Sequence, residues 1–131
     1  MTLRELVEKM CSAESWTSAP STDGWEIVIP QPKGRKQTVV ATSFKDGSDP
    51  MVRYTSVIGD ASSVDDQRAR TALELNARLP HGCLALADGN LVVTETRPLK
   101  TTTPETSAQA VKYLAKQADT YERLIYSSDK H

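Results

Sequence analysis

His81 and Cys83 are the first residues to consider for chemistry, because they stand two positions apart and both side chains bind metal ions. A structural zinc site takes about four ligands, usually in paired clusters of cysteine and histidine. The only other histidine is the terminal His131, and the other cysteine, Cys11, lies far away in the sequence. We therefore expect no metal site, and we expect His81 to cap backbone groups in the turn after Pro80.

Cys11 and Cys83 each fall within an apolar pattern. A free cysteine packs as a small hydrophobe, so we expect both thiols to be buried and reduced. A disulfide between them is the alternative, which the spacing of two cysteines does not decide.

A basic stretch at Lys33-Gly34-Arg35-Lys36 places three cations around a glycine. Phosphate-binding P-loops need a different glycine spacing and a helix directly after the loop, and this stretch has neither. We expect a solvated turn between two strands, with contact to an acidic partner as the alternative.

Catalytic arrangements are equally absent from the sequence pattern. Asp65 and Asp66 are explained by the positive end of the helix that follows them. Glu95 follows a strand and has no identified partner, and no G-x-S-x-G elbow presents a serine nucleophile. We therefore expect a protein that is not an enzyme and that needs no cofactor.

The composition predicts a single globular domain over residues 1–131. Apolar residues make up 38% and charged residues 25% of a chain that is long enough to bury roughly two-thirds of its unfolded surface. The net charge of -1 argues against a nucleic-acid surface, which needs a clustered excess of lysine and arginine. No apolar run could span a bilayer, and the amphipathic N-terminus differs from a signal peptide, so we expect a cytoplasmic protein without membrane contact.

The elements that would position a site alternate between helices and strands. A short helix is predicted over residues 2–13, where Thr2 and Glu5 form a capping box. The segment from Ser15 to Gly24 is rich in serine and threonine and is predicted to be a connection. Strands over 25–29, 36–44 and 51–58 follow, then a helix capped by Ser63 with Asp66 that runs to about residue 79, a hairpin, and a last helix with Thr103 as cap and Pro104 as first residue.

The hairpin is the clearest local signal, since Asp88-Gly89 suits a type I′ turn with positive φ at both central positions. Counting outward from the turn places four large apolar side chains on one face toward the core, namely Leu84, Leu86, Leu91 and Val93. Ala85 and Val92 lie on the reverse face. A reverse face this apolar is either covered by a helix or used in association.

Two apolar surfaces are candidate interaction sites. The first helix carries one face that either contacts a partner polypeptide or packs on the sheet, formed by Leu3, Leu6, Val7 and Met10. The second helix has a face of unusually small residues, which suits close packing against another element or another copy of the chain. We expect a homodimer whose interface includes Ala69, Ala72, Leu73, Ala85 and Val92.

The order helix, three strands, helix, two strands, helix resembles the type III secretion chaperone-like superfamily, which includes class I secretion chaperones and YbjN-type proteins. Sequence support lies in residues 72–86, ALELNARLPHGCLAL, and in Leu91-Val92-Val93 and Arg97-Pro98-Leu99. The run from Ala118 to Glu122, ADTYE, is similar to the ends of YbjN-type proteins. The resemblance implies an α+β fold in which an antiparallel sheet is packed with helices.

The resemblance also implies a small cytoplasmic protein, commonly a homodimer, that binds another polypeptide in extended form and performs no chemistry. Secretion chaperones are usually strongly acidic, so the near-neutral charge of this chain favours a divergent relative. One alternative is a regulatory or stress-related protein of the YbjN type that acts by association. Another is a small-ligand binder with a polar pocket around Arg53, Tyr54 and Glu95 on the concave side of the sheet.

Overall fold

The structure, a computed structural model, describes residues 1–127, and in that range it contains three α-helices and one six-stranded sheet. The helices are α1 (Leu3–Glu14), α2 (Asp66–Asn76) and α3 (Pro104–Tyr121), and a π-helical segment at Glu122–Ser127 follows α3. The strands are β1 (Thr17–Ser21), β2 (Gly24–Pro30), β3 (Lys36–Asp46), β4 (Asp49–Asp60), β5 (Cys83–Ala87) and β6 (Asn90–Pro98).

Neighbouring strands are all antiparallel, in the order β1-β2-β3-β4-β6-β5. Helices α1 and α3 pack on one face of the sheet, which we call the covered face. None of α1, α2 and α3 packs on the opposite face, which we call the open face and which Glu122 of the π-helical segment lines at one end. The predicted α+β fold, an antiparallel sheet packed with helices, is confirmed, with one strand more than expected.

The additional strand, β1, lies in the segment that we predicted to be a connection. It pairs with β2, with Ser21 opposite Gly24 and Thr17 opposite Val28. The residues of β1 are small or polar and nearly all exposed, so the apolar alternation that predicts a strand is missing. Pro20 fits the edge position of β1, the place in a sheet where a missing N–H is tolerated.

The first and last helices begin as predicted. The side-chain oxygen of Thr2 accepts the backbone N–H of Glu5 at 3.1 Å, and Glu5 Oε1 accepts the backbone N–H of Thr2 at 3.2 Å. Thr103 caps α3, and Pro104 is its first residue.

The second helix is shorter than predicted. Asp65 rather than Ser63 caps it, since Asp65 Oδ1 accepts the backbone N–H of Arg68 at 2.8 Å. The helix ends at Asn76, where the side chain of Asn76 binds the backbone of Leu84.

The hairpin forms as predicted, with φ values of 52° at Asp88 and 78° at Gly89. The expected pairs are present, and three of the four predicted core residues are buried: Leu84, Leu91 and Val93. The prediction is wrong for Leu86, which is 61% exposed. The reason is its place beside the turn on the edge strand β5, outside the three strands on which α3 packs.

The core lies between the covered face and the helices. Alternate strand residues and the apolar stripe of α3 fill it with side chains at 3% exposure or less, among them Ile27, Ile29, Val52, Tyr54, Val111, Leu114 and Ala118. Tyr121 continues the predicted stripe and is partly buried. The side chain of Ile125, also predicted for the stripe, lies outside the described residues, as does His131.

Candidate functional site

Exposed apolar side chains gather where α2 packs beside β5, on a surface that we call the α2–β5 patch. Its most exposed members are Leu73 at 71%, Leu124 at 64% and Leu86 at 61%. Two shallow grooves of about 230 and 160 Å³ run through the patch, which comprises Val64, Ala69, Ala72, Leu73, Leu84, Leu86, Leu91 and Leu124. A contiguous surface of exposed apolar side chains is typical of an interaction site.

Asn76 fastens α2 to β5 in the way that a neighbouring strand would. Its Oδ1 accepts the backbone N–H of Leu84 at 2.6 Å, and its Nδ2 donates to the backbone C=O of Leu84 at 3.0 Å. Both of these backbone groups of Leu84 are therefore occupied, which protects the edge of β5 against the addition of another strand. The α2–β5 patch is consequently suited to side-chain packing rather than to strand pairing.

Four of the five residues that we predicted for a dimer interface come together in the structure. Ala69, Ala72 and Leu73 line the same groove as Ala85. Val92 lines the open face instead and is only 3% exposed. Ala85 also lines the open face, so three of the predicted residues, Ala69, Ala72 and Leu73, belong to the α2–β5 patch.

The predicted partner-binding face of α1 lies largely inside the molecule. Three of its four residues are fully buried in the core, namely Leu6, Val7 and Met10. These three side chains therefore pack within the molecule, which was the alternative to contact with a partner polypeptide, because the apolar face of α1 lies against the sheet and α3. Leu3 alone of the four is partly exposed, and the prediction omitted two further partly exposed side chains beside α1, Trp16 and Trp25.

A charged cluster occupies the end of the covered face near α3. Arg97 and Glu95 form an ion pair, and His81 Nδ1 lies 3.4 Å from Glu95 Oε1 and 3.3 Å from Arg97 Nη2. The His81 ring also lies against Tyr113, with 5.3 Å between the ring centroids. Side chains of β6 and α3 therefore hold His81, in place of the backbone capping that we predicted.

The polar pocket predicted around Arg53, Tyr54 and Glu95 does not form. Tyr54 and Glu95 stand opposite each other on the covered face, whereas Arg53 lies on the open face. Tyr54 is fully buried, and its hydroxyl is hydrogen-bonded to Ser107. Burial raises the pKa of the Tyr54 hydroxyl, as expected of a core residue.

A partly buried ion pair joins the basic stretch to α3, and no local pattern in the sequence indicates it because its two residues are distant in the chain. Arg35 Nε donates to Asp119 Oδ1 and Arg35 Nη2 to Asp119 Oδ2, both at 3.0 Å. The Asp119 side chain is only 7% exposed. Hydrogen bonds from Arg35 hold the pKa of the Asp119 carboxyl below its ordinary value, although burial acts in the opposite direction. Arg35 is therefore a structural residue rather than part of a solvated turn.

Replacing Asp119 with asparagine should destabilise the fold by about 1–2 kcal/mol at neutral pH, since the partly exposed arginine end of the pair is screened by solvent. Because the folded-state pKa is lowered, the contribution is complete above the unfolded pKa of about 3.9 and is lost as the pH falls through the folded value. We therefore expect the difference in the free energy of unfolding between wild type and Asp119→Asn, measured with urea, to decrease as the pH is lowered from about 5 to about 3.

The matched control for this measurement is Asp46→Asn, at an exposed carboxylate near the end of β3. We expect it to leave stability at neutral pH within about 0.5 kcal/mol of wild type. A difference between wild type and Asp119→Asn that stays constant across the acid range would contradict the role of this pair.

The two thiols differ in their surroundings, and both are free. Cys11 is buried as predicted, and burial raises the pKa of its thiol. The prediction is wrong for Cys83, which is exposed on the open face because no helix covers that end of β5.

Among residues 1–127, no three side chains of histidine, cysteine, aspartate or glutamate are grouped so that they could hold a metal ion. None of the helices in this range combines the length and the apolar character that a membrane span requires.

Comparison with solved structures identifies the architecture. The type III secretion chaperone SycH of Yersinia pestis, solved in complex with a stable fragment of YscM2, is similar with a TM-score of 0.64 and 14% identity over 92% of this chain and 99% of that chain. The HopA1–SchA chaperone–effector complex contains a chain that is similar with a TM-score of 0.62 and 10% identity, covering 92% of each. The fold is that of the type III secretion chaperones.

The type III secretion chaperone-like fold extends to YbjN from E. coli, a candidate transcription regulator. YbjN is similar with a TM-score of 0.52 and 14% identity, over 100% of this chain and 96% of that chain. No protein-family model matches the chain, and no curated protein matches it either. The fold that we expected from the order of elements is therefore confirmed.

Proposed function

We propose that this protein binds a partner polypeptide in the cytoplasm, as a chaperone-like module that performs no reaction itself. Its fold supports this, since SycH was solved with a fragment of YscM2 and the HopA1–SchA structure is a chaperone–effector complex. The observation that carries the proposal is the partly exposed apolar surface of Leu3, Trp16 and Trp25 beside β1, an edge strand of the sheet. Such a surface is costly in water unless a protein covers it.

We place the partner on the α1 edge, which is the surface formed by Leu3, Trp16 and Trp25 beside β1. These three side chains are partly exposed at the rim of the core. The outer side of β1 pairs with no other strand of residues 1–127. An extended polypeptide can pair with such an edge and place alternate side chains against the tryptophans.

A second copy of the chain covers the α2–β5 patch in this proposal, which makes the protein a homodimer. The small side chains of Ala69 and Ala72 allow close approach, and Leu73 and Leu86 supply apolar area on either side of the groove. Because β1 and β5 are the two opposite edges of the sheet, association through β5 leaves the α1 edge of each copy accessible.

A regulatory role of the YbjN type is the second candidate. The net charge of -1 and the match to YbjN over the whole chain favour it over effector export. Both functions require binding of a polypeptide, and the neighbouring genes separate them, since a secretion chaperone usually lies beside the gene for its cargo.

Affinity capture after cross-linking in the native cell tests the binding of a polypeptide. We expect one discrete polypeptide, with cross-links concentrated on the α1 edge. The double variant Leu3→Asp with Trp16→Asp should reduce its recovery at least about tenfold, because a charge at each position prevents apolar packing. Val57→Asp, an equally polar change at a 49% exposed residue of the open face, is the matched control and should retain the partner. Recovery of the protein alone from the wild type would argue against the proposal.

A further inference from the structure

The open face of the sheet forms a concavity of about 930 Å³ that the proposed polypeptide function does not use. We propose that this concavity binds a single-chain amphiphile with a carboxylate head. The carboxylate would bind Arg53, and the hydrocarbon chain would lie on Val57 and Ala85. This proposal is independent of polypeptide binding, because the residues of the α1 edge do not line the concavity.

The floor of the concavity is apolar and already formed. Val92 projects from the open face, on which none of α1, α2 and α3 packs, yet it is only 3% exposed. Its neighbours across the strands are Val57 and Ala85. Val92 therefore offers little surface of its own, and Val57, which is 49% exposed, provides apolar surface for a ligand at this position.

Two of the hydroxyl groups that line the concavity, those of Thr55 and Thr94, use their protons within the protein. Thr94 donates to the backbone C=O of Tyr54 at 3.0 Å, and the hydroxyl groups of Thr55 and Thr94 are 3.1 Å apart. Since the Thr94 proton is engaged, Thr55 is the donor in the second bond. These two threonines consequently offer no hydroxyl proton to a ligand.

Arg53 is the cation at one end of the concavity, and its side chain is held in place. Its Nε donates to Thr96 Oγ1 at 3.0 Å, and its guanidinium carbon lies 4.4 Å from the centroid of the Phe44 ring. The terminal nitrogens Nη1 and Nη2 make no hydrogen bond to residues 1–127, so four N–H groups are available. A planar guanidinium held in this way matches a carboxylate, which it binds through two parallel hydrogen bonds.

The charges around the rim favour an anion at Arg53 alone. The acidic lining residues, Asp88 and Glu122, lie toward the other end of the sheet, near the β5–β6 turn and the start of β3. Lys36 also lies at that end, six residues along β3 from Thr42, which is the partner of Arg53. Arg53 and Val57 are four residues apart on one strand, which corresponds to about 13 Å. A ligand with one anionic end and an apolar chain of similar length fits this arrangement.

Titration with decanoate, kept below the concentration at which it forms micelles, tests the proposal. In a ¹H–¹⁵N NMR spectrum, we expect saturable shifts of amides in β4, β5 and β6 around Arg53, Val57 and Val92. By calorimetry, Arg53→Gln should weaken decanoate binding at least tenfold. Decanol, which has the same chain without the charge, should bind wild type at least tenfold more weakly than decanoate and should not respond to Arg53→Gln.

Two further variants keep the result independent of folding effects. Arg70→Gln, at an exposed arginine of α2, is the matched control and should leave the affinity for decanoate unchanged. Val57→Asp should abolish the binding of decanoate, because it places a charge in the apolar floor of the concavity. Circular dichroism should show that Arg53→Gln, Arg70→Gln and Val57→Asp all remain folded. Absence of saturable binding, shifts confined to the α2–β5 patch, or equal affinities for wild type and Arg53→Gln would each overturn the proposal. A combined outcome is also informative: Val57→Asp fails to recover the polypeptide in the affinity capture, and wild type does not bind decanoate. In that case the open face binds the polypeptide, and the proposed amphiphile site is wrong.

Discussion

Replacing Gly24 with alanine should destabilise the fold by at least about 3 kcal/mol. A Cβ atom at this position would lie 1.9 Å from the carbonyl oxygen of Ala41 and 3.0 Å from its carbonyl carbon. Both atoms belong to the backbone of β3, which pairs with β2, so the contact can be relieved only by separating the two strands. Urea unfolding followed by circular dichroism measures the change, and a large shift of the midpoint toward lower urea is the expected result.

Gly89→Ala is the matched control, because it adds the same methyl group in open space. Among residues 1–127, no atom beyond Gly89 and its two chain neighbours lies within 4 Å of a Cβ built on Gly89, so only its positive φ of 78° opposes the change. That conformation costs an alanine about 1–2 kcal/mol. Equal losses of stability in Gly24→Ala and Gly89→Ala would contradict the close approach of β2 and β3.

The second large effect concerns the oligomeric state. We expect wild type to sediment as a dimer at micromolar concentration, and the double variant Leu73→Lys with Leu86→Lys to sediment as a monomer. Each leucine occurs twice in a symmetric interface, and burial of one leucine contributes about 1.5–3 kcal/mol. The double variant should therefore raise the dissociation constant at least about a hundredfold.

Val57→Lys provides the control for the dimer experiment, since it adds a lysine to an exposed apolar position of the open face. It should remain a dimer. Because Leu73 and Leu86 are mostly exposed within one copy, the double variant should keep its far-ultraviolet spectrum. A wild-type chain that sediments as a monomer would refute the proposed interface. If the double variant still sediments as a dimer, the interface lies on another surface.

The sequence predicted the parts of the fold that depend on local chemistry. The capping box of Thr2 and Glu5, the cap at Thr103 and the type I′ turn at Asp88-Gly89 are all made by residues close together in the chain, and all three form. Alternation also assigned most side chains to the correct face of their strand. These predictions were correct because each of them depends on residues that are close together in the sequence.

Features that depend on distant neighbours were missed. β1 lacks an apolar pattern because it lies at an edge, and the pairing with β2 holds it in place. The bonds of Asn76 to Leu84 and of Arg35 to Asp119 join residues that only the fold brings together. The dimer interface stays a prediction: small residues of α2 do line one groove with Ala85, whereas Val92 lies on the open face.

The pair of hydrogen bonds between Asn76 and Leu84 has a consequence for aggregation. No residue of α2 is buried, so we expect this helix to open at a lower free-energy cost than the core strands. When α2 unwinds, the N–H and C=O of Leu84 are released beside the exposed Leu86, and β5 becomes a template for intermolecular strand growth. Any association that holds α2 in place therefore also lowers the tendency of the protein to form fibrils.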